Sequence, residues 1–168
     1  MSSDQTAPFT GREAGTRLNL SPDAESIMRL DAAEAYPHEA CGFFFGYIEG
    51  NELHIESALP IPNNATENLE RRFAISTPDY QLAERHASAN GLDLLGVYHS
   101  HPDHPPLPSE HDLKSAVSGF SYIIVEVRSG RPHSLRSWTL NAERRFDEER
   151  VDSVITELAT NLGQDRWS

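Results

Sequence analysis

Cysteine is almost missing from this chain: Cys41 is the only one among 168 residues. A single thiol excludes an internal disulfide and any zinc site built from several thiolates. Long apolar runs are missing too, and none approaches the ~20 residues needed to span a bilayer. Positive charge is scarce, with 14 Lys and Arg against 26 Asp and Glu, a formal net charge of −12. That balance repels a phosphate backbone, so nucleic acid is excluded as the expected partner. It suits a basic protein partner or a salt-rich cytoplasm better. The opening Met1-Ser2-Ser3-Asp4-Gln5 has neither the basic nor the apolar region of a secretion signal. The expectation is a soluble cytoplasmic protein with no membrane segment.

What is present is ordinary globular material, 38% hydrophobic and 24% charged. Residues 1–17 are polar and aperiodic and predict a loose, flexible tail. Ser21-Pro22 reads as a helix cap followed by proline at the first helical position. That helix is expected to reach about Tyr36, where Pro37 stops it. Gly42 to Ile48 predicts a buried strand, turned at Gly50-Asn51 into a partner strand, Leu53 to Leu59. After a proline- and asparagine-rich loop over 60–72, Thr77 is expected to cap a second helix. Pro78 would sit at its first position and Gly91 just past its end. A short apolar strand, Leu92 to Tyr98, leads into a loop stiffened by Pro102, Pro105, Pro106 and Pro108. Ser109 opens a third helix expected to end near Gly119. Strands Ser121–Val127 and His133–Leu140 follow, joined at Ser129-Gly130. Between Ala142 and Leu162, Val151, Val154, Ile155 and Leu158 recur at helical spacing and predict an amphipathic helix. The order of elements predicts an α/β or α+β fold, a mixed sheet flanked by helices. It divides the chain into the tail, a domain over 18–141 and a charged, helical extension over 142–168.

The chemistry concentrates in His99-Ser100-His101-Pro102 and, six residues on, Ser109-Glu110-His111-Asp112. Histidines at i and i+2 put both imidazoles on one side of an extended strand end. A carboxylate at the start of the next helix reaches the same point. Two neutral imidazoles and one carboxylate form a three-ligand zinc set whose fourth tetrahedral position stays open to water. His99, His101 and Asp112 are therefore the candidate ligands. A plainer reading runs alongside, because Ser109 and Asp112 also have the spacing of a capping box. His104 and His111 are expected at the rim of the pocket, and His54, His86 and His133 on the surface or the sheet. Cys41 fits a small buried apolar residue better than a nucleophile served by His99.

The run His99-Ser100-His101-Pro102, six residues, Ser109, two residues and Asp112 resembles, without gap or substitution, the motif of the JAMM (MPN-plus, Mov34/MPN/PAD-1-type) zinc metallopeptidases. The resemblance extends from about Ser21 to Leu140. It takes in the Gly96-Val97-Tyr98 lead-in and the Phe73–Pro78 entry to the second helix. The family motif also has a glutamate upstream, near the strand after the first helix, and Glu39 fits that place. The resemblance implies an MPN-type fold, related in its layering to cytidine deaminase-like folds, and one zinc ion per chain. A metal there lowers the pKa of water from about 15.7 to about 7. Glu39 would act as general base and then general acid, since an amide nitrogen leaves poorly unprotonated. Ser109 would donate a hydrogen bond to the oxyanion, an interaction worth about 3–4 kcal/mol in the barrier.

The implied activity is peptidase or isopeptidase cleavage at the C-terminal tail of a ubiquitin-like protein. A compact chain is similar to the stand-alone prokaryotic branch, whose members act after the diglycine of small sulfur-carrier proteins or release them from conjugates. Glycines let such a tail pass close to the metal, and the tail is expected to add beside an exposed strand edge. The loop 60–75, with Asn63, Asn64, Arg71, Arg72 and Phe73, lies where the family carries a substrate-side insertion, and its residues are candidate tail contacts. A non-catalytic MPN scaffold is the second function class, but such domains lack the ligands kept here. A hydrolase of cell-wall or phage-tail material is a third. His99 to His104 also spells H-x-H-x-D-H, as in metallo-β-lactamase-like binuclear hydrolases, without their downstream histidines or glycine-rich continuation. A nucleobase deaminase would need a P-C-x-x-C ligand pair, which is absent.

Overall fold

A computed structural model describes residues 16–155. In chain order the elements are β1 (Arg17–Leu20), α1 (Pro22–Ala35), β2 (Cys41–Glu49), β3 (Glu52–Ile61) and α2 (Thr77–Ala89). Then come β4 (Asp93–Pro102), α3 (Glu110–Ser115), β5 (Ser121–Arg128), β6 (Arg131–Leu140) and β7 (Phe146–Ser153). The strands follow the order β1-β3-β2-β4-β5-β6-β7, and β1 also pairs with β7, which closes a barrel. β1 runs parallel to both its neighbours and β4 runs parallel to β5, so the sheet is mixed.

Helices pack on this sheet, as the sequence predicts. β2 explains why its apolar run is continuous rather than alternating: both of its faces are covered. Phe44 points into a core with Tyr98, Ile123 and Val125, capped by Ala24, Met28 and Ala32 of α1. Cys41, Phe43 and Phe45 point the other way, into a second core with Val97, Phe73, Tyr122 and Ala83 and Ala87 of α2. The Ser21 hydroxyl accepts the Ala24 N–H and caps α1, which ends before Pro37. α2 is capped one residue earlier than expected. The Ser76 hydroxyl accepts the Asp79 N–H and donates to its carboxylate, leaving Thr77 as the first helical residue.

Two expectations need correction. The segment expected as an amphipathic helix is a strand over Phe146–Ser153, paired with β6 on one side and β1 on the other. Val151 belongs to the strand while Val154 and Ile155 are helical, so the expected spacing straddled a boundary; Leu158 lies outside the described residues. α3 stops at Ser115 rather than near Gly119, because Ala116 turns extended and buries itself in the second core. Closure of the barrel gives every described strand two neighbours, but β3 meets β1 only over Glu52–Ile55, so Glu56–Ile61 has no strand partner on that side among the described residues. Of the expected tail, Arg17 opens β1, whose N–H donates to Asn51; residues 1–15 lie outside the described part. Among the described residues no helix is long and apolar enough to cross a membrane.

Candidate metal centre

β4 runs on past Tyr98 because His99 to Pro102 continue the ladder against Ile124 to Val127 of β5. Val97, His99 and His101 therefore alternate onto one face, and the site forms the polar end of the second core. Both histidines are 1% exposed. Phe73 stacks on the His99 ring at 4.5 Å, and His104 stacks on His101 at 4.0 Å. The prolines between β4 and α3 bring a backbone carbonyl to bear: Pro105 O lies 2.7 Å from His101 Nδ1. A carbonyl can only accept, so Nδ1 carries the hydrogen and Nε2 presents its lone pair to the site.

The carboxylate comes from the first turn of α3. Ser109 and Asp112 form the capping box: the Ser109 hydroxyl accepts the Asp112 N–H at 3.0 Å, and Asp112 Oδ2 accepts the Ser109 N–H at 2.8 Å. The structural and the ligand readings of this segment thus hold together. The same Oδ2 stands 3.3 Å from both His99 Nε2 and His101 Nε2, which are 3.2 Å from each other. In a regular tetrahedron the edge is about 1.63 times the centre-to-corner distance, so these edges imply a centre about 2.0 Å from each atom, as zinc–nitrogen and zinc–oxygen bonds require. The donor set fits a metal ion.

Glu39 closes the group. Its ligand oxygen, His99 and His101 nitrogens lie within 4.8 Å of one another, and Oε1 is 3.7 Å from His101 Nε2. Glu39 is 1% exposed, and neither carboxylate oxygen has a hydrogen-bond partner among the described residues. An unsatisfied buried carboxylate is costly, which marks the space it faces as one meant for a polar occupant. Burial, the largest influence, pushes Glu39 up to about 8; His101 and Arg71 pull against it and Asp112 adds to it. Asp112 behaves oppositely. Burial would raise it, but the His99 and His101 rings beside it and the Ser109 backbone N–H hold it far below the usual carboxylate range.

Ser100, which the sequence reading passed over, explains the short path from β4 to Glu39. Its hydroxyl accepts the Ala40 N–H at 2.7 Å and its N–H donates to the Ala40 carbonyl at 3.1 Å. The one signal for it was a small hydroxyl between two histidines in a strand whose other face is buried.

Other candidates are placed less centrally. Phe73 is buried as a wall behind His99. Arg71 is exposed, and its charge reaches Glu39, Asp103 and His104. Arg72 lies 3.5 Å from Glu67. Asn63, offered as a tail contact, spends its whole side-chain amide inside the loop and on Glu39. His111 lines a cleft with Phe73, Tyr80, Asp112 and Tyr122, at the rim as expected. Burial pushes the Cys41 thiol up to about 12, so it carries no thiolate at neutral pH. The binuclear alternative also falls. Asp103 turns from the histidines to accept the Tyr36 hydroxyl and the Ser129 N–H, tying α1 to the β5–β6 turn.

Residues 21–141 match the family described as prokaryotic homologs of the JAB domain. A desampylase of Haloferax volcanii is 34% identical over 114 residues, covering 65% of this chain and 80% of that protein. A probable TtuB-protein conjugate cleaving protease of Thermus thermophilus is 34% identical over 88 residues, covering 52% of this chain and 55% of that one. Among solved structures, a Desulfitobacterium hafniense protein is 27% identical with a TM-score of 0.71, over 80% of this chain and 91% of that one. A Salinibacter ruber protein is 38% identical with a TM-score of 0.61, over 79% and 89%. The match spans the cap of α1 to the end of β6, every element that builds the centre: the chain belongs to the prokaryotic JAB-domain family.

Proposed function

We propose that the chain is a cytoplasmic, zinc-dependent peptidase and isopeptidase that cuts after the C-terminal diglycine of a ubiquitin-like or sulfur-carrier protein. One observation carries the reading: three ligand atoms on a 3.2–3.3 Å triangle, with a buried carboxylate beside it that takes no hydrogen bond from the described residues. His99, His101 and Asp112 would hold a zinc ion, which would supply the Lewis acidity that makes water a nucleophile near neutral pH. Glu39, whose ionised form a cation beside it would favour against the pull of burial, accepts a proton from the attacking water on a carboxylate oxygen and returns it to the departing amine nitrogen. The Ser109 Oγ already accepts the Asp112 N–H, which leaves its hydroxyl hydrogen for the substrate carbonyl oxygen. Ser109 is exposed, so a substrate can reach it.

The substrate class is supported by the relatives, which are named for releasing protein conjugates. The tail is taken at the C-terminal end of β4, between α3 and the 62–75 loop. There Arg71 and Arg72 are exposed to meet it. Mass spectrometry of ubiquitin-like carriers bearing C-terminal extensions tests the proposal. Incubation with the zinc-loaded protein should yield carriers ending in Gly-Gly, a chelator should stop the reaction, and zinc should restore it. A chain that binds one zinc and leaves every such carrier and its conjugates intact is the scaffold instead.

A further inference from the structure

We infer that Asn63 is the positioning residue that aims Glu39 into the centre, an inference that rests on the proton-carrying role proposed for Glu39. Among the described residues nothing hydrogen-bonds the Glu39 carboxylate, so its direction must be set through its backbone. Glu39 sits between α1 and β2, outside either element, and lacks the restraint of a helix or a ladder. Two contacts replace that restraint, and both come from the 62–75 loop. The Glu39 N–H donates to the Leu69 carbonyl at 2.8 Å, and its own carbonyl accepts from Asn63 Nδ2 at 3.1 Å.

Asn63 is suited to this by its full occupancy. Nδ2 also donates to the Arg72 carbonyl at 3.0 Å, while Oδ1 accepts the Ala65 N–H at 3.0 Å and the Ala74 N–H at 3.2 Å. Two donors and two lone pairs are all used. The amide orientation is fixed by its partners, since two are carbonyls and two are N–H groups. The oxygen end therefore clamps the neck of the loop, which Asn64 N–H to Ala74 O closes further at 3.0 Å. The nitrogen end fastens the loop to Glu39. One side chain sets both the shape of the loop and the residue it must hold.

Asparagine to aspartate separates the two ends. Asn63→Asp keeps an acceptor for Ala65 and Ala74 but loses both donors and places an oxygen against the Glu39 carbonyl. On an extended diglycine carrier, the variant should hold its zinc, while any rise in KM reads the lost tie to the Arg72 carbonyl. Its kcat should fall roughly 10–100-fold, the cost of a catalytic group displaced by about an ångström. Added to Glu39→Gln, the same substitution should cost almost nothing more, because the group it aims is already disabled. If Asn63→Asp does not fold, Asn63→Ala carries the same paired comparison without the charge. Equal losses of kcat in both backgrounds, a wild-type kcat, or loss of zinc would each overturn the inference while leaving the proposed function standing. An inactive wild type, or Glu39→Gln working at the wild-type rate, would instead overturn the role of Glu39 itself.

Discussion

Glu39→Gln isolates the proton carrier, because it keeps the shape of the side chain and removes only its ability to exchange a proton. The three atoms of the metal triangle belong to other residues, so zinc content should stay at about one per chain. General acid–base catalysis contributes about 10²–10⁴-fold, so kcat should fall by that factor, or roughly 3–5 kcal/mol in the barrier. A second signature lies in stability. Burial raises Glu39 from 4.5 to about 8, so the folded protein holds this proton more tightly than the unfolded chain does. Metal-free wild type therefore loses stability as pH rises from 4.5 towards 8, an effect absent from the glutamine variant. At about 1.36 kcal/mol per decade, the difference between variant and wild type should move by roughly 3 kcal/mol in the variant's favour from pH 4 to pH 7. In a chain of this size that is a relative shift of about 6–12 °C in Tm. Any fixed cost of burying the glutamine amide cancels in the comparison between the two pH values. Thermal unfolding of both metal-free proteins across that range reads it directly. Parallel stability curves would refute the buried-carboxyl argument, and unimpaired cleavage by the variant would refute the proton carrier.

Other perturbations separate ligands from scaffold. Asp112→Ala and His101→Ala should lose zinc, read by metal analysis after dialysis, and with it all turnover; Asp112→Ala also opens the capping box, at about 1 kcal/mol. Ser109→Ala should keep zinc, since the backbone N–H still holds Asp112 Oδ2, but should lower kcat by roughly 10²–10³-fold. Retention of full activity there would remove Ser109 from the reaction. Gly96→Ala tests the framework alone: a Cβ would stand 1.9 Å from the Ser121 carbonyl and 2.5 Å from the Phe44 ring. Forcing β4 from β5 should cost about 1–3 kcal/mol or more in thermal unfolding.

How far these residues could be read in advance follows the range of the interaction that places each one. His99 and His101 share a strand face by backbone geometry, and Ser109 and Asp112 share a helix turn, so their spacing in the sequence already carried the geometry. Ser21 and Pro37 bound α1 through local rules, and those positions were legible too. Ser76 lost its cap to Thr77 in the sequence reading because both have hydroxyls, and only the Asp79 N–H decides between them. The ends of the barrel were hidden for another reason. β1 has four residues, and β7 reads FDEERVDS with buried Glu149 and Ser153 rather than apolar alternation. Each exists as a strand because distant partners pair with it, β3 and β7 for β1 and β6 and β1 for β7. The same holds inside the site. Phe73 behind His99, Ser100 beneath Ala40 and Asn63 against Glu39 join residues 20 or more positions apart, with no periodicity linking them. A motif therefore specifies the atoms that meet the metal, while the aim of the acid beside it is written in contacts that only the closed fold creates.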